Sequence, residues 1–318
     1  MKKKRLKLKK QVYYFLIILL FLIIGIISFV KIKQNYNYKQ TYEYKFLSNN
    51  YTLDEFNLID KYFDDSEKNT LLEDNKNDTL INLLKDNNFK KENLDRYLDY
   101  IKKHRNVSPS DAVKNINLDL DYDLYENPKK ADTSKDILML VNKHNNLDDD
   151  YVPDNLITIS NKYTWGDGKK VRSDVFDAYL NMWNAALNDD IYLIINLGYR
   201  SFKDQDSLYN KYANLKNRKY ADSITTRAGF SEHQTGLAMD ILSKKDSKYD
   251  TFKESDAYKW LHENSYKYGF IERYTEENIK ITGFDDEPWH YRYVGIDAAK
   301  IIYEKNITFE EYYLEYVK

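Results

Sequence analysis

The stretch SEHQTGLAMD, residues 231–240, joins a polar turn to the start of a strand. It contains His233, one of only five histidines in the 318-residue chain, and ends in Asp240 after a short apolar run. Successive side chains of a strand point to opposite faces, so Asp240 projects away from the larger apolar residues, on the same face as the small Ala238. The turn can bring His233 back toward that face. For this stretch alone two interpretations are open, an ordinary turn with a core strand or part of a metal site.

A second histidine with a nearby carboxylate occurs in DDEPWHYRYVG, residues 285–295. Pro288 excludes a continuous helix here and predicts a turn that points Glu287 and His290 toward one place. Because the chain has no cysteine, a metal site must use histidine, carboxylate and water ligands. Three protein ligands leave one position of a zinc ion for a water whose pKa falls to about 7, and a second carboxylate can take its proton. The two segments together favour a hydrolytic metal site.

A third segment, LGYRSFKDQ at residues 197–205, places Arg200 where an apolar strand ends. A guanidinium at this position can bind a substrate carboxylate or stabilise a developing oxyanion, and Gln205 on the following helix can add a hydrogen bond. The alternative for Arg200 is a surface salt bridge.

These three segments occur in the order of a known family. YRS (199–201) with a glutamine at 205, SEHQTGLAMD, and EPWHYRYVG (287–295) together resemble the VanY-like zinc D-alanyl-D-alanine carboxypeptidases of bacterial cell-wall metabolism. The resemblance covers roughly residues 135–305, and every motif position is present.

The resemblance implies a role for each motif residue. One Zn²⁺ per catalytic domain would be bound by His233, Asp240 and His290. Glu287 would act as general base and acid. Arg200 would bind substrate and would also be catalytic, because it would stabilise the oxyanion. The other substrate-binding residues would be Gln205, Ser231, Tyr199 and Trp289.

The resemblance also implies the reaction. The expected activity is removal of the C-terminal D-Ala from peptidoglycan stem peptides by attack of a metal-bound water, with either D,D or L,D specificity. An endopeptidase of the same family and a non-catalytic wall-binding module that keeps the fold are the alternatives. Another divalent metal also remains open, because histidine and aspartate ligands are not unique to zinc.

The segment from residue 131 to 318 mixes short strands with helices without a regular βαβ alternation, which predicts an α+β domain with a mostly antiparallel sheet. Residues 117–125 and 137–145 have strand-like patterns, as do the segments that carry the three motifs. An amphipathic helix is predicted over residues 171–189. Its apolar side consists of Val175, Tyr179, Met182 and Ala186. Ser201 and Ser255 are predicted N-caps of two further helices.

The N-terminus predicts a membrane segment. Residues 1–11 are strongly basic, and residues 12–30 form an uncharged apolar run, long enough to cross a bilayer. The charge asymmetry predicts a cytoplasmic basic tail and an extracytoplasmic catalytic domain in a single-pass bacterial membrane protein. An uncleaved signal anchor is favoured because no small-residue cleavage site follows. A cleaved signal peptide is the alternative, and a buried soluble helix is disfavoured because every face is apolar.

Two further regions lie between the membrane segment and the catalytic domain. Residues 31–50, which are polar, rich in tyrosine and without clear periodicity, are interpreted as a linker. Residues 51–130 are interpreted as a small, mainly helical module. Thr52 and Glu55 form a predicted capping box at its start. An apolar stripe follows, made of Leu53, Phe56, Ile59 and Tyr62.

The rest of the composition is less informative. The 49 basic and 51 acidic side chains nearly balance, so no nucleic-acid partner is indicated, and protein partners are not identified. His104, His144 and His262 lie outside the motifs and are interpreted as non-functional.

Overall fold

The computed structural model describes residues 10–245 and 248–317, and its contacts divide the chain into two units. The first comprises residues up to 95 together with 106–113; the second comprises residues 96–105 and those from 114 onward. The predicted boundary near residue 130 therefore does not coincide with this division. Residues 96–105 belong to the second unit because Arg96 pairs with Asp119 and Asp121, and the Tyr97 hydroxyl donates to Asn117.

The first unit begins with helix α1, Lys10–Lys39, whose side chains are almost all exposed. In the described part of the chain it is the one helix long and apolar enough to cross a membrane. Length and composition fit a membrane anchor and a signal sequence equally. The basic tail lies mainly outside the described residues.

Residues 31–50, which are interpreted as a linker from the sequence, are mostly helical in the structure. Helix α1 continues to Lys39, and α2, Tyr42–Ser48, follows with Phe46 fully buried. No glycine or proline lies between Gly25 and Pro109, and extending an existing helix costs far less than nucleating one.

Short helices make up the rest of the first unit. Thr52 and Glu55 form the expected capping box. Of the predicted stripe, Phe56 and Ile59 are buried, whereas Leu53 is exposed. The helices are α3, Leu53–Tyr62; α4, Asp65–Glu73; and α5, Asp78–Leu84. Two helices, α6 and α7, have residues in both units; they span Leu94–Lys103 and Pro109–Asn117.

The second unit is an α+β domain built on a four-stranded sheet, in which residues 193–197, 238–243, 290–293 and 270–272 lie side by side in that order. All three pairings within this sheet are antiparallel. Its strands are β5, Leu193–Leu197; β6, Ala238–Ser243; β7, Phe270–Glu272; and β8, His290–Tyr293. Two small two-stranded sheets precede it, formed by β1, Lys129–Lys130, with β2, Asn145–Asn146, and by β3, Leu156–Thr158, with β4, Lys170–Arg172.

Helices cover the sheet and complete the core of this unit. Val175, Tyr179, Met182 and Ala186 on α8, Ser173–Asn188, are fully buried, as the apolar side predicted. Ser201 and Ser255 are the N-caps of α9, Phe202–Leu215, and α11, Asp256–Asn264, as predicted. The remaining helices are α10, Arg218–Ile224; α12, Ile279–Thr282; α13, Ile296–Lys305; and α14, Phe309–Tyr316.

Two predicted strands are wrong. Residues 117–125 form the end of α7 and a series of turns, with Asp119 in the left-handed region at φ 59°. Residues 137–145 are mostly loop, although Val141 is buried. Here the Arg292 guanidinium donates to the carbonyls of Ile137 and Met139, so that a side chain replaces the sheet hydrogen bonds. The local sequence of residues 137–145 cannot reveal a hydrogen-bond partner that lies so far along the chain.

Leu261→Ala tests the contribution of this core. Leu261 on α11 is fully buried in the main apolar cluster, so its truncation should lower the free energy of unfolding by about 2–5 kcal/mol. The matched control is Leu215→Ala, because Leu215 is 72% exposed and its loss should change stability by no more than about 0.5 kcal/mol. Urea unfolding followed by tryptophan fluorescence measures both; equal losses would contradict the assigned core.

Candidate functional site

Three buried side chains from separate elements meet at the two central strands of the sheet. His233 lies in a 3₁₀ turn, Glu232–Thr235. Ser231 caps this turn, and its hydroxyl accepts a hydrogen bond from the His233 backbone N–H. Gly236 ends this turn at φ +68°, a conformation that favours glycine, and the chain then enters β6. The strand pairing places Asp240 opposite His290. One ligand atom from each of the three side chains lies within 4.8 Å of the other two.

The donor atoms of this group fit a metal ion. Asp240 Oδ1 lies 3.4 Å from His233 Nε2 and 3.3 Å from His290 Nδ1. It is buried and accepts no hydrogen bond from any described residue. A buried carboxylate oxygen without a donor is costly, and a cation bound between these three atoms would satisfy it. Two imidazoles and one carboxylate form the kind of ligand set that catalytic zinc uses.

Each of the three candidate ligands has its own outer partner. His233 Nδ1 lies 2.8 Å from the Gly198 carbonyl, which only accepts, so the proton sits on Nδ1 and Nε2 is free to bind a metal. His290 Nε2 lies 3.2 Å from Glu232 Oε2, which leaves Nδ1 free in the same way. The Tyr249 hydroxyl donates to Asp240 Oδ2 at 3.2 Å. Such partners fix ligand orientation.

The electrostatics of the group also favour a cation. Burial opposes the charged form of His290, yet the carboxylates of Asp240 and Glu232 raise its pKa to about 9. Burial would raise the pKa of Asp240, but His233 and His290 hold it well below its usual range. Both pKa shifts arise because the buried carboxylates stabilise positive charge at this site, and a bound metal ion would supply such a charge.

Glu287 lies beside the three ligands and is a third exposed. Its Oε2 is 3.8 Å from His290 Nδ1, and its backbone N–H donates to the Tyr274 carbonyl. Burial raises the pKa of the Glu287 carboxyl to about 7; His290 opposes this shift, and the charge of Asp240 adds to it. A carboxyl that titrates near neutrality can both accept and return a proton.

Arg200 is positioned by the turn that carries His233. Its backbone N–H donates to the His233 carbonyl, and its guanidinium donates to Gln205 Oε1 at 2.7 Å. Gln205 is buried, and its amide donates in turn to Thr225 and Thr226. The structure thus places Gln205 behind Arg200, where it orients the guanidinium.

The three ligands, Glu287 and Arg200 line one cavity of about 620 Å³. Of the other residues expected to contact substrate, Ser231 and Trp289 line this cavity, whereas Tyr199 and Gln205 are not among its described lining residues. Further lining side chains include Lys143, Asp222, Glu232, Tyr249, Tyr274 and Asp285.

Sequence reasoning missed Glu232, Tyr249 and Lys143. Glu232 directly precedes His233 in the motif, and its position beside a candidate ligand was an available signal. Tyr249 and Lys143 lie outside the three segments, and nothing in their local sequence points to the cavity. The other histidines lie elsewhere: His104 stacks on Tyr100, His262 pairs with Glu272, and His144 is buried apart from the three ligands.

Comparisons with known proteins point to one family. Residues 168–296, which include all three motif segments, match the VanY family model, described as D-alanyl-D-alanine carboxypeptidase. A D-alanyl-D-alanine carboxypeptidase of Enterococcus faecalis is 37% identical over 193 residues, which cover 58% of this chain and 68% of that protein. The YodJ protein of Bacillus subtilis is 34% identical over 217 residues, covering 65% of this chain and 80% of YodJ.

A solved structure agrees with these sequence matches. The LD-carboxypeptidase LdcB, whose structure was described for its recognition of peptidoglycan, superimposes with a TM-score of 0.56 and 35% sequence identity. The superposition covers 59% of this chain and 90% of the LdcB chain.

Tyr249→Phe tests the outer partner of Asp240. Loss of the hydroxyl leaves Asp240 Oδ2 without its donor, and Zn²⁺ affinity should fall by about 10-fold while the fold is retained. Chelator competition on the full chain measures the affinity. Tyr212→Phe, which removes a hydroxyl from another side chain lining the same cavity, is the matched control. Equal affinity in both variants would refute the role of Tyr249.

Proposed function

The chain belongs to the VanY family of D-alanyl-D-alanine carboxypeptidases, and we propose that it removes the C-terminal D-Ala from peptidoglycan stem peptides with one Zn²⁺ held by His233, Asp240 and His290. The observation that carries this proposal is the convergence of three buried ligand atoms within 4.8 Å, beside Glu287 and Arg200 in one cavity. The described relation of LdcB to peptidoglycan supports the choice of substrate.

A bound Zn²⁺ supplies Lewis acidity, which acidifies water and polarises the scissile carbonyl. Glu287 then acts as the proton carrier. Its carboxylate takes a proton from the attacking water and returns it to the amine of the leaving D-Ala as the peptide bond breaks. The position of Glu287 beside the candidate ligands, in the cavity that they line, supports this role.

Arg200 binds the anionic part of the reacting peptide in this proposal. Its guanidinium lines the cavity and is held by Gln205, so it is oriented before substrate arrives. A preorganised guanidinium can pair with the terminal carboxylate or stabilise the oxyanion that develops at the carbonyl. Ser231 and Trp289, which line the same cavity, are proposed to contact the peptide.

We further propose that residues 12–30 anchor the chain in the bacterial membrane, with the basic N-terminal tail inside and the catalytic unit outside. The apolar helix α1 and the excess of basic residues before it support this topology. In this orientation the catalytic residues would lie on the side of the membrane that carries the peptidoglycan.

Glu287→Gln tests the proton carrier. The substitution keeps the size of the side chain and removes its ability to accept the proton, so kcat should fall by about 10²–10⁴-fold. Zinc stoichiometry should stay at one, because Glu287 is not one of the three ligands. Turnover of a stem peptide and metal analysis on the same sample measure both quantities. The matched control is Glu277→Gln, an exposed glutamate; an unchanged kcat in Glu287→Gln would remove the residue from the mechanism.

Penta- and tetrapeptide stems test the bond that is cleaved. We expect the full chain to release D-Ala from at least one of the two, with D,D specificity seen as loss from the pentapeptide and L,D specificity as loss from the tetrapeptide. Mass spectrometry identifies the product. If a zinc-loaded sample releases D-Ala from neither stem, the carboxypeptidase proposal fails; internal cleavage would instead indicate an endopeptidase.

A further inference from the structure

Four buried charged side chains lie behind the candidate metal centre. Glu232, Arg273, Arg292 and Glu310 are each exposed by 2% or less, and they are called the charge cluster below. The charges of its two carboxylates and its two guanidiniums cancel. The cluster is distinct from the three ligands, and its carboxylate Glu310 lies on α14, beyond the segment 168–296 that matches the family model.

Glu232 joins this cluster to a candidate ligand. Its Oε2 lies 3.2 Å from His290 Nε2, while its Oε1 accepts from Arg273 Nε at 2.9 Å and from Arg292 at 3.0 Å. Glu232 is therefore a carboxylate that accepts from His290 on one oxygen and is fixed by two arginines on the other.

Arg273 carries the connection to the C-terminal helix. Its two terminal nitrogens donate to both oxygens of Glu310, at 2.6 and 3.0 Å, in a bidentate pair. Asn142 donates to Glu310 as well, at 3.1 Å. Phe309, the neighbour of Glu310, lies 5.5 Å from the Arg273 guanidinium and 5.1 Å from that of Arg292. Glu310 thereby fixes the plane of Arg273, and Arg273 fixes Glu232.

The two histidine ligands are oriented by different means. His233 donates to a backbone carbonyl, that of Gly198, which directly follows β5. His290 donates to a side chain, which has rotational freedom unless other groups restrain it. Buried ion pairs are often no more stabilising than apolar residues of the same size, so stability alone does not account for the cluster. Orientation of a metal ligand does account for it.

We propose that Glu310, acting through Arg273 and Glu232, is a positioning residue that fixes the ring and the tautomer of His290 for metal binding. This inference rests on the proposed zinc site. Glu310 contacts neither metal nor substrate in this proposal. Its effect reaches His290 through two intermediate charged residues, Arg273 and Glu232. The C-terminal helix α14 is then part of the metal centre's support.

Three variants of the full chain in detergent test the proposal. Glu232→Gln should raise the Kd for Zn²⁺ by about 10- to 100-fold, the range for a direct outer partner. Glu310→Gln and Arg273→Lys should each raise it by about 3- to 10-fold, because they act one or two steps further away and Lys lacks the fork that pairs with both oxygens. The visible spectrum of Co²⁺ bound at the site should change in all three, since it reports ligand geometry independently of turnover.

Glu315→Gln is the matched control, being the same substitution on the same helix at a side chain that is 45% exposed. It should leave the Kd and the Co²⁺ spectrum unchanged. Thermal unfolding of the metal-free proteins separates loss of fold from loss of positioning. If Glu310→Gln lowers the unfolding temperature but matches Glu315→Gln in Kd and spectrum, Glu310 is only structural and the proposal is overturned.

Two other results are decisive. If Glu310→Gln does not fold, Arg273→Lys provides the same comparison, and an unchanged Kd and spectrum in that variant overturn the proposal. If the unaltered chain does not bind one Zn²⁺, the proposed function fails first and the positioning role fails with it. If the unaltered chain binds zinc and releases D-Ala, a negative result in the variants counts against the positioning role alone.

Discussion

The antiparallel pairing of β6 with β8 places Asp240 directly opposite His290. Side chains opposite each other on paired strands share a face, so this register alone brings two candidate ligands together. Slipping either strand by one residue would turn its ligand to the other face of the sheet. The 3₁₀ turn before β6 then needs only to bring His233 back toward Asp240, which the left-handed Gly236 at its end allows.

The register by itself does not make a metal centre, because imidazoles and carboxylates must also present the correct atoms. Hydrogen-bond partners outside the three ligands determine which atoms face the metal position. His233 bonds to a carbonyl, Asp240 to a hydroxyl and His290 to a carboxylate. Arg273 and Arg292 in turn hold Glu232 in place. The carboxylates at and beside the ligands are buried, and their negative charge favours a cation there.

The sequence predicted several helices of the catalytic unit correctly. The apolar side of α8 and the caps at Ser201 and Ser255 follow from local periodicity and capping chemistry, and the structure has them where expected. Local patterns failed where a distant group decided the conformation. Residues 137–145 look like a strand, but Arg292, about 150 residues away along the chain, satisfies their carbonyls and keeps them irregular.

By itself, the sequence determined the chemical types available at the site: two histidines, two carboxylates and an arginine in three motif segments, and no thiol. It also determined, through strand alternation, that Asp240 faces away from the apolar core. Only the tertiary structure decided that Gln205 lies behind Arg200, that Tyr249 reaches Asp240, and that α14 supports His290 through Glu310. These contacts join residues from different segments of the chain, and their partners are set by packing, which no local pattern encodes.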